Sequence, residues 1–146
     1  MADKRVYAFG KDQNGKNITE GNTDMKWIVG GKGANLAEMA NLDLPVPPGY
    51  SISCQTCMEY ANAGNIWPEG ALDEIWGYTE NLEERMGKRI GDKDDPLLVS
   101  VTFSNIFTIH FSPPTFHLSL YKTPMVRFGY EKSAFLRIFN TVSTFS

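Results

Sequence analysis

VGGKGANLAEMANLDLPVPPGYSIS, residues 29–53, carries the reading of the fold. Gly30, Gly31 and Gly33 surround Lys32 and are expected to form a loop. Ala34 to Asn41 then reads as a helix, with Leu36, Met39 and Ala40 on one face at i, i+3 and i+4. Pro45, Pro47 and Pro48 forbid helix and hold the chain extended. Gly49 relieves the turn, Tyr50 to Ser53 reads as a strand, and Ser53 is placed to cap a helix over Cys54 to Ala61.

A glycine-rich loop that enters a helix presents backbone N–H groups and the positive end of the helix dipole. Without Cβ atoms the backbone can approach a ligand closely. Lys32 adds a flexible point charge suited to a phosphate oxygen. The spacing is neither GxxxxGK[ST] nor GxGxxG, because Gly33 and Ala34 follow the lysine. Two readings stay open from spacing alone: a phosphate cradle of Lys32, Gly30, Gly31 and Gly33, or a tight turn into a helix with a solvated lysine.

Working outward, Arg5 to Phe9 (RVYAF) reads as a strand, and a polar loop rich in Asn, Gly and Lys follows. Met25 to Val29 is a short apolar lead-in to the glycines. From about Glu69 to Met86, residues Leu72, Ile75, Trp76, Thr79, Leu82 and Met86 form a stripe of helical period, and Gly87 is a natural terminator. Asp92 to Pro96 is a turn, and Leu97 to Val101 (LLVSV) a short buried strand. Helices and strands mixed in this order predict an α+β (α/β-like) unit.

The chain has 146 residues and a net charge of −3. That length fits one domain, and that charge offers no basic patch for nucleic acid. No run approaches the ~20 apolar residues of a membrane span. The opening MADKRVYAFGKDQNGKN is charged and lacks the apolar run of a secretory signal. It is also too acidic and too poor in Ser and Arg for a transit peptide. The cytoplasm is the expected compartment.

The averages conceal a break. Met1 to Val101 holds 10 Lys+Arg against 16 Asp+Glu, whereas Thr102 to Ser146 holds 4 against 1. The second segment also holds 10 of the 18 aromatic residues and both histidines. A boundary is therefore expected after Val101: a folded unit over 1–101, then a divergent or irregular Phe/Ser/Thr-rich tail over 102–146.

Other candidate groups read as structural. Cys54 and Cys57 form a single CxxC, short of the four ligands of a zinc site and without the flanking Trp or Pro of a thioredoxin motif. Free thiols fit a reducing compartment. Asp73, Glu74, Glu80, Glu83 and Glu84 fall mostly off the apolar stripe and read as a solvated helix face. His110 and His117 stand seven apart in an apolar, Pro-containing stretch and suggest no metal. Trp27, Trp67 and Trp76 read as core or cover.

KRVYAFG (Lys4 to Gly10), GGKGANLAEMANLDLPVPPGYSIS (Gly30 to Ser53), WPEG (Trp67 to Gly70), MGKRIGD (Met86 to Asp92) and PLLVSV (Pro96 to Val101) together resemble the start of the pyruvate, phosphate dikinase family, whose relative is phosphoenolpyruvate synthase. The likeness covers roughly the first 101 residues. It implies an incomplete ATP-grasp-type nucleotide-binding domain. It also implies an ATP-dependent phosphotransferase that interconverts ATP, phosphate and pyruvate with AMP, pyrophosphate and phosphoenolpyruvate through a phosphohistidine, assisted by Mg2+. In such enzymes the lysine of GGKGANL lies against the nucleotide phosphates, and Lys32 is the matching position. The family strand continues as R-S-G-A, and its arginine also grips phosphate. Here Thr102, Phe103 and Ser104 stand instead, and a hydroxyl cannot replace a bidentate guanidinium.

Neither His110 nor His117 sits in the family's carrier motif. No catalytic residue and no metal ligand is therefore assigned to this chain, and activity alone is not expected. The likeness further implies ATP as ligand and the homodimeric full-length dikinase as a partner. A non-catalytic fragment that binds or interferes with the full-length enzyme is the alternative function. An unrelated small α/β nucleotide-binding module is a third reading. The abrupt loss of likeness after Val101 suggests a truncated product continuing into unrelated sequence.

Overall fold

The computed structural model describes residues 3–103 and 107–111, with side chains described through Val99. Its centre is an antiparallel sheet of β1 (Val6–Phe9), β2 (Gly49–Ile52), β3 (Val99–Phe103) and β4 (Phe107–Phe111), in the order β1-β2-β4-β3. Val6 pairs with Ile52 and Phe9 with Gly49. Gly49 also pairs with His110 and Ser51 with Thr108. β3 and β4 form a ladder from Val99↔Phe111 to Phe103↔Phe107. The fold is thus mixed α/β.

Three helices complete it: α1 (Lys26–Asn41), α2 (Cys54–Asn62) and α3 (Ala71–Met86). All four residues of β2 are buried. Side chains alternate across a strand, so β2 needs cover on both faces. The Tyr50 hydroxyl meets Thr79 Oγ1 of α3 at 2.8 Å. Ser51 instead faces Gly33 of α1. One core therefore joins Val6, Tyr50 and Ile52 to Ile75 and Leu82 of α3, with Cys57, Leu97 and Val99. Burying each large aliphatic contributes roughly 1.5–3 kcal/mol.

The expected α3 is present, and Gly87 ends it in the left-handed conformation. Its buried line is Ala71, Ile75, Thr79 and Leu82, with Trp76 and Met86 packed partly against it. Leu72, expected in the stripe, stays exposed. Ser53 caps α2 as expected, its side chain accepting from Thr56 N at 3.2 Å. Next to it, Arg5 Nη1 donates to Glu59 Oε2 at 2.7 Å and to Thr56 Oγ1 at 3.3 Å.

α1 departs from its expected form in two ways. The stretch expected as a lead-in and loop is helical from Lys26 onward, after a 3-10 turn at Thr23–Met25. Gly30 alone leaves helical geometry, at φ 73 and ψ 169. Two helical segments meet at a kink there, in a conformation that favours glycine, so the stretch is a helix–helix junction rather than an open loop. The buried face is also not that of Leu36 and Met39 but that of Val29, Gly33, Ala34, Ala37 and Ala40. A helix lying this close to β2 has room only for small residues, so Met39 is left in solvent.

β1 is an edge strand whose outward N–H groups are all claimed. Val6 N donates to Glu74 Oε1 at 3.0 Å, Ala8 N to Glu20 Oε2 at 2.7 Å, and Gly10 N to Thr19 Oγ1 at 3.1 Å. Capping an edge with carboxylates removes a template for unwanted strand pairing. β3 crosses the boundary expected after Val101, and β4 lies wholly beyond it. Thr102 stands in β3 opposite Thr108. His117 and the rest of the expected tail from residue 112 lie outside the described residues. Among the described residues no helix is long and apolar enough to cross a membrane.

Candidate functional site

The glycine cluster opens the second helical segment of α1. Asn22 caps the preceding 3-10 turn by accepting from Asp24 N at 2.9 Å. After the break at Gly30 the helix resumes with Gly31, Lys32 and Gly33 in its first turn. The structure divides these four residues by task. Gly30 is buried and supplies the break. Gly33 is buried against the sheet: a Cβ there would stand 2.7 Å from Ser51 Oγ and 3.2 Å from Val29 Cβ. Gly31 is exposed, with open space where a Cβ would be. Lys32 is exposed to solvent, yet enough protein surrounds its stem that desolvation lowers the ammonium pKa. Gly31 and Lys32 therefore form the accessible part of the cluster, and Gly30 and Gly33 hold it in place.

Trp27, read as core or cover, is 91% exposed just before the break. Trp67 does serve as cover, packing on Tyr60 at 4.3 Å between ring centroids. No sequence signal separates the two tryptophans; only packing does.

Of the acidic residues of α3, Asp73, Glu80 and Glu84 are exposed, as a solvated face would be, whereas Glu74 and Glu83 are half-buried anchors. Glu74 accepts from Arg5 N and Val6 N. Glu83 accepts from Ile90 N at 2.7 Å. Glu80 accepts from Trp76 Nε1 at 2.7 Å. Glu20, which the sequence did not single out, is a second anchor. It accepts from Ala8 N, from Lys4 Nζ at 2.6 Å and from Tyr78 OH at 2.8 Å. Burial acts to raise its pKa, but these donors outweigh burial and hold it below the usual carboxylate value. Burial likewise pulls Lys4 down, and its bonds to Glu20 and Tyr78 outweigh that and raise it. Glu20, Glu74, Tyr78 and Asn81 line an open cleft of about 460 Å³ beside β1.

Arg85 also went unnoticed in the sequence. Its Nη1 donates to Phe9 O at 3.3 Å and its Nη2 to Gly49 O at 3.5 Å, clipping the end of β1 to the start of β2. Its Nε is buried without a hydrogen-bond partner, and burial lowers the guanidinium pKa. Among the described residues no three His, Cys, Asp or Glu side chains gather to hold a metal.

Residues 26–92 match the pyruvate phosphate dikinase AMP/ATP-binding domain. This segment belongs to that family. The match takes in the whole glycine cluster, β2, α2 and α3. Over 98 residues the chain is 50% identical to pyruvate, phosphate dikinase 1, chloroplastic, of Zea mays, covering 67% of this chain and 10% of that protein. It is 47% identical over 100 residues to the chloroplastic enzyme of Flaveria trinervia, covering 68% and 10%. It is 43% identical over 102 residues to the pyruvate, phosphate dikinase of Giardia intestinalis, covering 69% and 11%. The chain thus spans about a tenth of the length of these curated dikinases.

Proposed function

We propose that this chain carries part of the nucleotide phosphate site of a pyruvate, phosphate dikinase. Lys32 supplies the cation, Gly31 the open backbone, and Gly30 and Gly33 the geometry. One observation carries this reading: inside the family segment, a helix restarts at an exposed Gly31–Lys32 pair. Such a helix end favours anions, and a lysine on a flexible stem can reach a phosphate oxygen. The enclosing domain is read as of the ATP-grasp type. The contact proposed is between phosphate and protein, and Mg2+ is what the family likeness implies alongside ATP.

Phosphoryl transfer depends on positioning and on neutralising charge over the phosphate oxygens. One lysine supplies only a share of that. The dikinase reaction belongs to chains about ten times this length, and we propose that this chain alone does not perform it. Purified chain mixed with ATP, Mg2+, phosphate and pyruvate is expected to give no phosphoenolpyruvate, AMP or pyrophosphate. ATP binding followed by calorimetry is expected to be weak and to fall about tenfold in Lys32→Ala, the loss of one charge-assisted contact. Equal affinity in the variant would remove Lys32 from the site.

A non-catalytic role is favoured by a separate observation: Trp27, Leu42 and Ile66 are each more than half exposed. Each offers apolar area for contact with a longer dikinase chain. Co-purification with the full-length enzyme tests it. The cytoplasm is the compartment proposed, and a plastid the alternative, given the chloroplastic relatives.

A further inference from the structure

The phosphate site leaves the two cysteines unused. Cys54 is the first residue of α2 and Cys57 stands one turn further on, directly after the Ser53 cap. Neither cysteine is in a disulfide. Cys54 is half-buried, while Cys57 is buried in the core beside Val6, Tyr50 and Ile52. Residues three apart on a helix have Cβ atoms about 5–6 Å apart, roughly 1–2 Å more than the about 3.5–4.5 Å between the Cβ atoms of a disulfide. Closing the remaining gap shifts the first helical turn, and the bonds from Thr56 N to Ser53 Oγ at 3.2 Å and from Cys57 N to Ser53 O at 3.1 Å must move with it.

We propose that Cys54 and Cys57 form a reversible dithiol–disulfide site that exchanges with small disulfides and dithiols. Cys54 is the entering nucleophile because it alone reaches solvent, and Cys57 is the resolving thiol. The Cys54 thiolate attacks one sulfur of a disulfide RSSR. That S–S bond breaks, a mixed disulfide forms on Cys54, and RS− leaves with the electron pair. Cys57 then gives its proton to solvent, attacks Sγ of Cys54 and expels the second RS−. Two protein thiols are oxidised, and RSSR is reduced to two RSH. A loop this short constrains the unfolded chain little, so a dithiol reverses the bridge. Two thiolates fall short of a closed zinc site, which leaves exchange as the chemistry this pair supports. The bridged turn also pins β1: Ser53 N donates to Arg5 O at 2.7 Å, and Thr56 and Glu59 hold the Arg5 guanidinium.

The test uses the full chain, reduced and then treated with oxidised glutathione, quenched with N-ethylmaleimide and read by intact mass and peptide mapping. The expected result is loss of two hydrogens and of both alkylation sites, restored by dithiothreitol. Cys57→Ser is expected to stop at a glutathione adduct on Cys54. Retention of both alkylation sites, or formation of interchain dimers alone, would overturn the proposal. If Cys57→Ser does not fold, a short maleimide pulse on the reduced native chain decides the order. Cys54 labelling first supports the assignment, and Cys57 labelling first or at the same rate overturns it.

Discussion

Gly33 and Ser51 stand so close that a Cβ on the glycine would meet the serine Oγ at 2.7 Å. α1 reaches β2 at that point only because one side chain is missing. Gly33→Ala forces the helix away from the strand, at a cost of about 1–3 kcal/mol. Gly31→Ala meets open space at helical geometry and should hold or slightly raise stability. Thermal melting of the two variants should separate them clearly. Equal melting temperatures would contradict the division of the cluster into packing and open positions.

Gly30 poses a different test. At φ 73 and ψ 169 it occupies a region that only glycine enters freely. Gly30→Ala should cost about 1–3 kcal/mol of strain, measured by urea midpoint. ATP binding, where detectable, should fall with it, since the direction of the restarted helix depends on this residue.

The Tyr50–Thr79 pair predicts an asymmetry. The Thr79 hydroxyl donates to Ile75 O at 2.9 Å, so its single proton is committed. Tyr50 must then be the donor in their 2.8 Å contact. Tyr50→Phe removes one donor and strands nothing, costing about 1 kcal/mol. Thr79→Val leaves a fully buried phenol without an acceptor and should cost more, about 1–3 kcal/mol. Chemical denaturation of both variants checks the order.

Glu20 sets an acid limit. Its folded pKa lies below its ordinary value near 4.5, so its share of stability is present above that value. The share is lost as pH falls through the lower, folded value. Glu20→Gln should cost on the order of 1 kcal/mol at neutral pH, discounted for partial exposure. It should also flatten the fall in urea midpoint below about pH 4.5. An unchanged acid profile would remove Glu20 as the anchor of Ala8.

Some of this was legible because it is local. Ser53 as a cap, Gly87 as a stop and the line Ile75–Thr79–Leu82 follow from residues within a turn or two of each other. The division of labour among the glycines around Lys32 was not legible, because it depends on Ser51, eighteen positions away. The exposure of Trp27 and Met39 was missed for the same reason: α1 is pulled so near the sheet that alanines win the inner face. Glu20 and Arg85 carried no signal, since their partners lie far along the chain: Lys4, Ala8 and Tyr78 for the one, the Phe9 and Gly49 carbonyls for the other. The change of composition at Val101 was real in the sequence, but the sheet does not observe it.

β2 is covered above and below, and along one side it is zipped to β4, which lies wholly beyond Val101. The segment that matches the dikinase domain, residues 26–92, therefore takes its inner seam from residues beyond that match. Unpicking Phe107–Phe111 would bare the hydrogen-bonding flank of Gly49–Ser51, a strand with no charged side chain to ward off strangers. Self-association, rather than simple loosening, is the failure this architecture invites.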